Sequence, residues 1–412
     1  MTDRETRHAE LAERYLPEER LERFRRRAGE VDRDNRFFDE DLVELSEAGY
    51  LELFVPEEFG GPGLTLHEVS RLQQRLATAA PATALAVNMH LMCVGVVRAM
   101  SARGDRSLEY VFEEAMEGEI FAFGISEPAN DWVLQGSNTS ARPQADGGYL
   151  LTGTKIFTSL SPVWTRLIVH GLDDSDPESP QLVYGFIERE EVGGEDADGA
   201  GPDAERQGGE AGSVTASDRW DVLGMRGSQS RATILRDARI RPERVARRLP
   251  PGRHPDLLTF AITSHFQLLI GSVYAGVARR ALDVAAEGLR KRRSAKAGVS
   301  LAEVPEHRVR IADAHLEYLS VPAQLDAYSR DFDELVDHGQ GWPLRLVSAR
   351  INAATAARRC AETALVCAGG AGFDSDHEAS RLYREAAAGL FHPPSADAAR
   401  PMYAAALLDV AD

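Results

Sequence analysis

The chain has 412 residues, 43% of them hydrophobic, enough for two or three structural units sharing sizeable cores in one subunit. Its formal net charge of −18 argues against nucleic acid as a partner, because phosphate binding needs a basic footprint. No run of about 18 uncharged apolar residues occurs, so a membrane span is not expected. The charged opening MTDRETRHAELAERYL lacks the apolar stretch of a secretory signal. Cys93, Cys360 and Cys367 are too few for a disulfide framework and read as reduced, buried thiols. These features lead to the expectation of a cytoplasmic enzyme without a metal site.

Along the chain three blocks differ in pattern. Residues 1–118 read as helices: Asp39 to Ala48 carries Leu42, Val43 and Leu45 at helical spacing before Gly49 stops it. Two more runs, Leu64–Ala79 and Ala84–Ala99, flank Ala80-Pro81, and PEEFGGPGL (Pro56 to Leu64) is a glycine-rich turn. Residues 119–245 switch to short β-type runs at Ile120–Ile125, Tyr149–Thr158, Arg166–His170, Leu182–Ile187 and Ala232–Leu235, the pattern of an antiparallel barrel or sandwich. Within this block, 188–218 is so acidic and glycine-rich that a mobile loop is expected. Residues 246–412 return to helix, with long runs at Leu257–Arg292, Val304–Val336, Pro343–Ala368 and Ser375–Leu390, ended by Pro393-Pro394. The fold class is therefore α+β: an N-terminal helical domain, a middle β domain and a C-terminal helix bundle.

This order, together with a set of motifs, resembles the acyl-CoA dehydrogenase family over nearly the whole chain. The motifs are PEEFGGPGL, GISEPAND (Gly124–Asp131), GTKIFTS (Gly153–Ser159), LGMRGSQS (Leu223–Ser230), GVARRALD (Gly276–Asp283), CAGGAGF (Cys367–Phe373) and SRLYREA (Ser380–Ala386). Each alone is weak; seven in the right order are specific. The resemblance implies an FAD-dependent oxidoreductase. It implies that Ser126, Thr158 and Ser159 offer donors to the isoalloxazine and that Phe157 packs on the ring. It also implies that Gly369, Gly370 and Gly372 let backbone approach the ribityl-diphosphate-adenosine end, partly from a neighbouring subunit, so a homodimer or homotetramer is expected. The residue types suit a reduced flavin, whose negative charge near N1 and O2 calls for N–H and hydroxyl donors.

The family reaction removes an α-proton from an acyl thioester and needs a base of raised pKa in a dry pocket. Counting from Arg384, the position of the usual glutamate falls on Pro393, and the alternative position on the long helix falls near Phe266. Neither is a carboxylate. Nine residues before Gly276, where many members carry arginine, stands Gln267, which puts a CoA thioester substrate in question. The candidates for proton transfer are His392, beside the expected position, His265, beside the alternative one, and His90 on the Ala84–Ala99 helix. Each also has an ordinary reading as a hydrogen-bonded core histidine. Three functions stay open. One is acyl-CoA dehydrogenase-like oxidation of a CH–CH group. Another is a monooxygenase of the same fold, fed reduced flavin by a reductase, which the histidines favour. The third is a non-catalytic scaffold that binds flavin or a partner.

Overall fold

The computed structural model describes residues 3–189 and 212–409. Six helices form the N-terminal part, the best defined being α4 (Leu66–Ala77) and α5 (Pro81–Ser101), counted after α1 (Asp3–Tyr15), α2 (Glu18–Asp34) and α3 (Asp39–Glu47) and before α6 (Tyr110–Met116). The start of α4 is a reciprocal capping box between Thr65 and Glu68, and α5 opens on Pro81, whose missing N–H costs nothing in a first turn. Nearly every residue of α5 is buried.

The middle domain is an eight-stranded sheet: β1 (Phe121–Gly124), β2 (Ser140–Pro143), β3 (Tyr149–Thr158), β4 (Arg166–Asp173), β5 (Gln181–Glu188), β6 (Ser213–Ala216), β7 (Arg231–Ile240) and β8 (Val245–Leu249). Its order is β6-β7-β3-β2-β4-β5-β8, with β1 beside β4. Most pairs are antiparallel, as the short alternating runs lead one to expect, but β1 joins β4 in parallel. Three strands lie outside the expected runs: β2, β6 and β8. β6 falls inside the acidic 188–218 segment and pairs with β7, while the rest of that expected loop, 190–211, lies outside the described residues. β8 pairs with β5, so the sheet continues to Leu249, past residue 245.

The C-terminal bundle contains α7 (Leu257–Lys291), α8 (Pro305–Asp333), α9 (Trp342–Ala368), α10 (Glu378–Ala387) and α11 (Ala396–Leu408). Helix α7 is the axis of the molecule, packed against α4, α5, α8 and α9. A Cβ at Gly276 would run into the Gln74 carbonyl of α4, so this small residue sets how closely the two helices approach. The sequence expectation about membrane-length segments needs a correction here. Both α5 and α7 are long and apolar enough to span a bilayer, but 94% and 72% of their apolar windows are buried inside the protein. Where α5, the sheet and α7 meet, Met92, Val96, Phe123, Ile168, Leu258 and Ile262 line an apolar cavity of about 10 Å³, room for one water at most.

Candidate active site

Strand β3 loses register with β7 between Lys155 and Thr158, and Phe157 takes a left-handed conformation at φ 57°. Such a bulge takes its residue out of the ladder and re-aims its side chain. Phe157 is accordingly 53% exposed on an otherwise buried strand end. Ser126 is its neighbour, because the Ile156 N–H donates to the Ser126 carbonyl at 2.8 Å. The Ser126 hydroxyl has no hydrogen-bond partner among the described residues. Behind the bulge, Ser159 Oγ meets Ser230 Oγ at 2.7 Å, and Ser230 meets Ser228 at 2.8 Å, while Thr158 Oγ1 is buried without a partner. An exposed aromatic ring, a free hydroxyl and an orphaned buried hydroxyl on one bulge fit a planar, hydrogen-bonding ligand such as an isoalloxazine. Ser126, Phe157, Thr158 and Ser159 are thus brought together.

The turn is anchored from below by charge. Glu127 is buried and its carboxylate accepts from Lys155 Nζ (2.5 Å), Thr139 Oγ1 (2.6 Å), Ser137 Oγ (2.7 Å), Asn130 Nδ2 (2.7 Å) and the Asn138 N–H (2.7 Å). Burial pushes this carboxyl up, but the Lys155 ammonium and the surrounding donors prevail and hold it at about 2. Lys155, also buried, donates to the His170 carbonyl at 2.6 Å.

The three glycines lie elsewhere. They end α9, where Gly369 borders Arg292, Gly372 packs on Leu365 and Ala368, and Gly370 faces open space. Arg292 donates to the Cys367 and Ala368 carbonyls at 2.8 and 2.6 Å. Within one chain these glycines do not join the Ser126–Phe157 turn.

The C-terminal wall places His392 against α7. Its ring lies 6.2 Å from Phe266 and 5.5 Å from Tyr274, centroid to centroid, and Nε2 is 2.7 Å from the Tyr274 hydroxyl. Gln267 Nε2 donates to the Pro393 carbonyl at 3.0 Å. Arg350, 1% exposed on α9, donates to Gln267 Oε1 at 2.7 Å and to the Pro394 carbonyl, and pairs with no carboxylate among the described residues. Burial and then the Arg350 charge push His392 down to about 3, so its imidazole is neutral. Helix α10, just before this segment, is tied to the middle domain through Gly224, where a Cβ would strike the Arg384 carbonyl, and to α2 through Arg384, which donates to Asp32 at 2.9 Å.

His90 and His265 have other work. His90 lies between backbone groups, with Nε2 3.0 Å from the Leu51 carbonyl and Nδ1 accepting the Phe121 N–H at 3.1 Å. Both ring nitrogens are spent, so nothing remains to move a substrate proton. His265 donates from Nδ1 to Ala261 O at 2.9 Å and packs between Phe54 and Phe332, with Gly95 leaving room for the ring. Burial holds them at about 4 and about 3.

The family models decide the kinship. The acyl-CoA dehydrogenase N-terminal domain matches residues 8–104 and the C-terminal domain matches 268–394. The chain belongs to the acyl-CoA dehydrogenase family. Among curated relatives it is 27% identical to an L-evernosamine nitrososynthase from a Micromonospora species, over 89% of this chain and 82% of that protein. Two solved structures share the fold. Butyryl-CoA dehydrogenase from Megasphaera elsdenii superposes with a TM-score of 0.79 at 18% identity, covering 99% of both chains. The complex of TdsC, a dibenzothiophene monooxygenase from Paenibacillus sp. A11-2, with FMN and indole superposes at 0.77 and 22% identity, covering 96% of both. The protein is a flavin-dependent oxidoreductase by class.

Within an acyl-CoA dehydrogenase frame the C-terminal wall gains meaning. The two places where the resemblance puts the family's base, at Pro393 and near Phe266, come together around His392, and neither Phe266 nor Pro393 is a carboxylate. Arg350 and Tyr274 were not foreseen. Arg350 recurs with Leu346, Ala353 and Ala357 in the buried phase of α9, and an arginine in that phase was the available signal.

Proposed function

We infer that this protein is a flavin-dependent monooxygenase of the acyl-CoA dehydrogenase fold, fed with reduced flavin, rather than a CoA-thioester dehydrogenase. The observation that carries the reading is the neutral His392 beside Pro393, the position where an α-proton-abstracting carboxylate is expected, with Phe266 and an uncompensated Arg350 close by. Reduced flavin, when bound, supplies the two electrons that split dioxygen into one oxygen for the substrate and one for water. The chain's own residues then have modest tasks. Phe157, Ser126 and Ser159 hold and orient the ring, the Glu127–Lys155 anchor keeps their turn rigid, and the apolar seam between α5, β1 and α7 excludes water. His392, held against Phe266 and Tyr274, contributes a neutral polar group.

The nitrososynthase and monooxygenase relatives support the oxygenase reading, and the FMN named with TdsC supports FMN in place of the FAD first expected. A reductase that delivers reduced flavin is then the redox partner, and the substrate is a small molecule carrying an oxidisable heteroatom. Exposed Leu316, Leu319, Phe373 and Leu407 on the bundle support a homodimer or homotetramer.

The test is anaerobic. Protein loaded with oxidised flavin should show no bleaching against a panel of acyl-CoAs, and reductase-supplied reduced FMN followed by air should give rapid oxygen uptake. Bleaching by any acyl-CoA would return the protein to the dehydrogenases.

A further inference from the structure

Tyr274 is fully buried on α7, and its single hydrogen bond among the described residues is the 2.7 Å contact with His392 Nε2. A phenol proton at a buried oxygen needs an acceptor; leaving it without one costs about 1–3 kcal/mol. The two ways of protonating the contact are therefore unequal. If Nε2 carried the imidazole proton, it would donate to the phenol oxygen and the phenol proton would point at nothing. If the phenol donates, Nε2 is a bare acceptor and both groups are satisfied. A neutral imidazole has one N–H, which then sits on Nδ1. No described residue hydrogen-bonds that nitrogen, and His392 is partly exposed, so Nδ1 is open to a ligand.

The charged form is opposed from the neighbouring elements. From α9, Arg350 presents a buried guanidinium with no carboxylate partner. From α10, Glu385 is buried but committed to Arg381 at 3.3 Å. From α7 come only Phe266, Gln267 and Tyr274 itself, whose phenol burial holds far above its ordinary range. Nothing in this shell supplies the negative charge an imidazolium would need.

We propose that Tyr274 is a positioning residue that locks His392 as a neutral Nδ1–H donor facing the ligand. The residue that stands in for the family's base is then a hydrogen-bond donor, suited to negative charge building up on oxygen and unsuited to taking a proton from carbon. That catalytic meaning rests on the oxygen-transfer reading above; the tautomer does not.

The experiment is nitrogen NMR on the flavin-loaded, full-length protein labelled with 15N-histidine, with the His392 signals identified by their absence in His392→Gln. Expected at neutral pH is a protonated Nδ1 and an unprotonated, hydrogen-bonded Nε2, and in Tyr274→Phe a shift of population to the Nε2–H form. An Nε2–H tautomer in the unmodified protein overturns the proposal, as does an unchanged Nδ1–H signal in Tyr274→Phe. Should that variant not fold, the unmodified protein still decides by the same signals. Loss of the oxygenase reading with an intact Nδ1–H signal would sink the function and leave the lock; an Nε2–H signal in an active oxygenase would do the reverse.

Discussion

Glu127 and Arg350 are buried to a similar degree, and each sits beside one wall of the candidate site, yet their surroundings are opposite. Glu127 faces a buried ammonium and a ring of donors, so its charge is fully answered. Arg350 finds an amide oxygen and a backbone carbonyl, both neutral, and its own pKa is pushed down to about 10 by burial. The first arrangement is what a scaffold needs: a turn held rigid under a cofactor. The second spends stability to keep a cation next to a histidine. Under the proposed function, the wall expected to hold the flavin is anchored by matched charge, and the wall expected to meet the substrate sets an unmatched positive charge beside a neutral ring.

The comparison breaks most visibly at Lys155. Lys155→Met leaves the Glu127 carboxylate buried without a counter-charge, which typically costs about 3–5 kcal/mol. Chemical denaturation should register a loss of that size together with weakened flavin binding. A loss under about 1 kcal/mol would mean that water reaches the pair and that the two walls are not so different.

Acid titration tests the same contrast through the histidines. His90, His170 and His265 are buried and neutral, held down at about 4, about 3 and about 3 by burial first. In the unfolded chain each takes a proton near 6.5. Between these values the unfolded state binds more protons, so stability falls as pH drops through that window. Glu127 adds to the loss lower down, between its ordinary range and about 2. The thermal midpoint should decline steadily below about pH 6.5. A flat midpoint down to pH 4 would show that these rings are reached by solvent.

The two walls also differ in how far the sequence disclosed them. Phe157 and its serines were legible through local motifs, GISEPAND and GTKIFTS each placing their residues on one strand end, and the strand runs matched β3, β4 and β5 closely, although the bulge that exposes Phe157 was not expected. β6 was hidden because Ser213–Ala216 is short and embedded in an acidic, glycine-rich stretch, so its strand character comes from pairing with β7 rather than from its own composition. His90 and His265 resembled candidates because a sequence does not reveal that the Leu51 carbonyl, the Phe121 N–H or the Ala261 carbonyl will occupy the ring nitrogens. Gln267 read as the loss of an arginine. In space Gln267 is itself met by a guanidinium, donated by Arg350 from a helix 83 positions further along the chain. Only tertiary contact reveals that pairing.

Arg350 therefore offers the smallest change in stability and the sharpest reading of the second wall. Arg350→Met removes a buried charge, which by itself is neutral or stabilising, and strands the Gln267 and Pro394 oxygens, which costs about 1–3 kcal/mol for each. The two effects oppose, so a net loss within about 2 kcal/mol is expected by denaturation. The chemistry should suffer more, because the segment carrying His392 loses its clamp; a displacement of about 1 Å costs on the order of 10²-fold in rate. Histidine NMR separates the two roles of the guanidinium. In Arg350→Met the His392 pKa should climb part of the way from about 3, burial being the larger cause and remaining in place. In Arg350→Lys the charge stays and the planar fork is lost, so the pKa should stay low while the rate still falls. If Lys restores the rate fully, charge alone is what the wall needs, and the clamp on Pro394 is incidental.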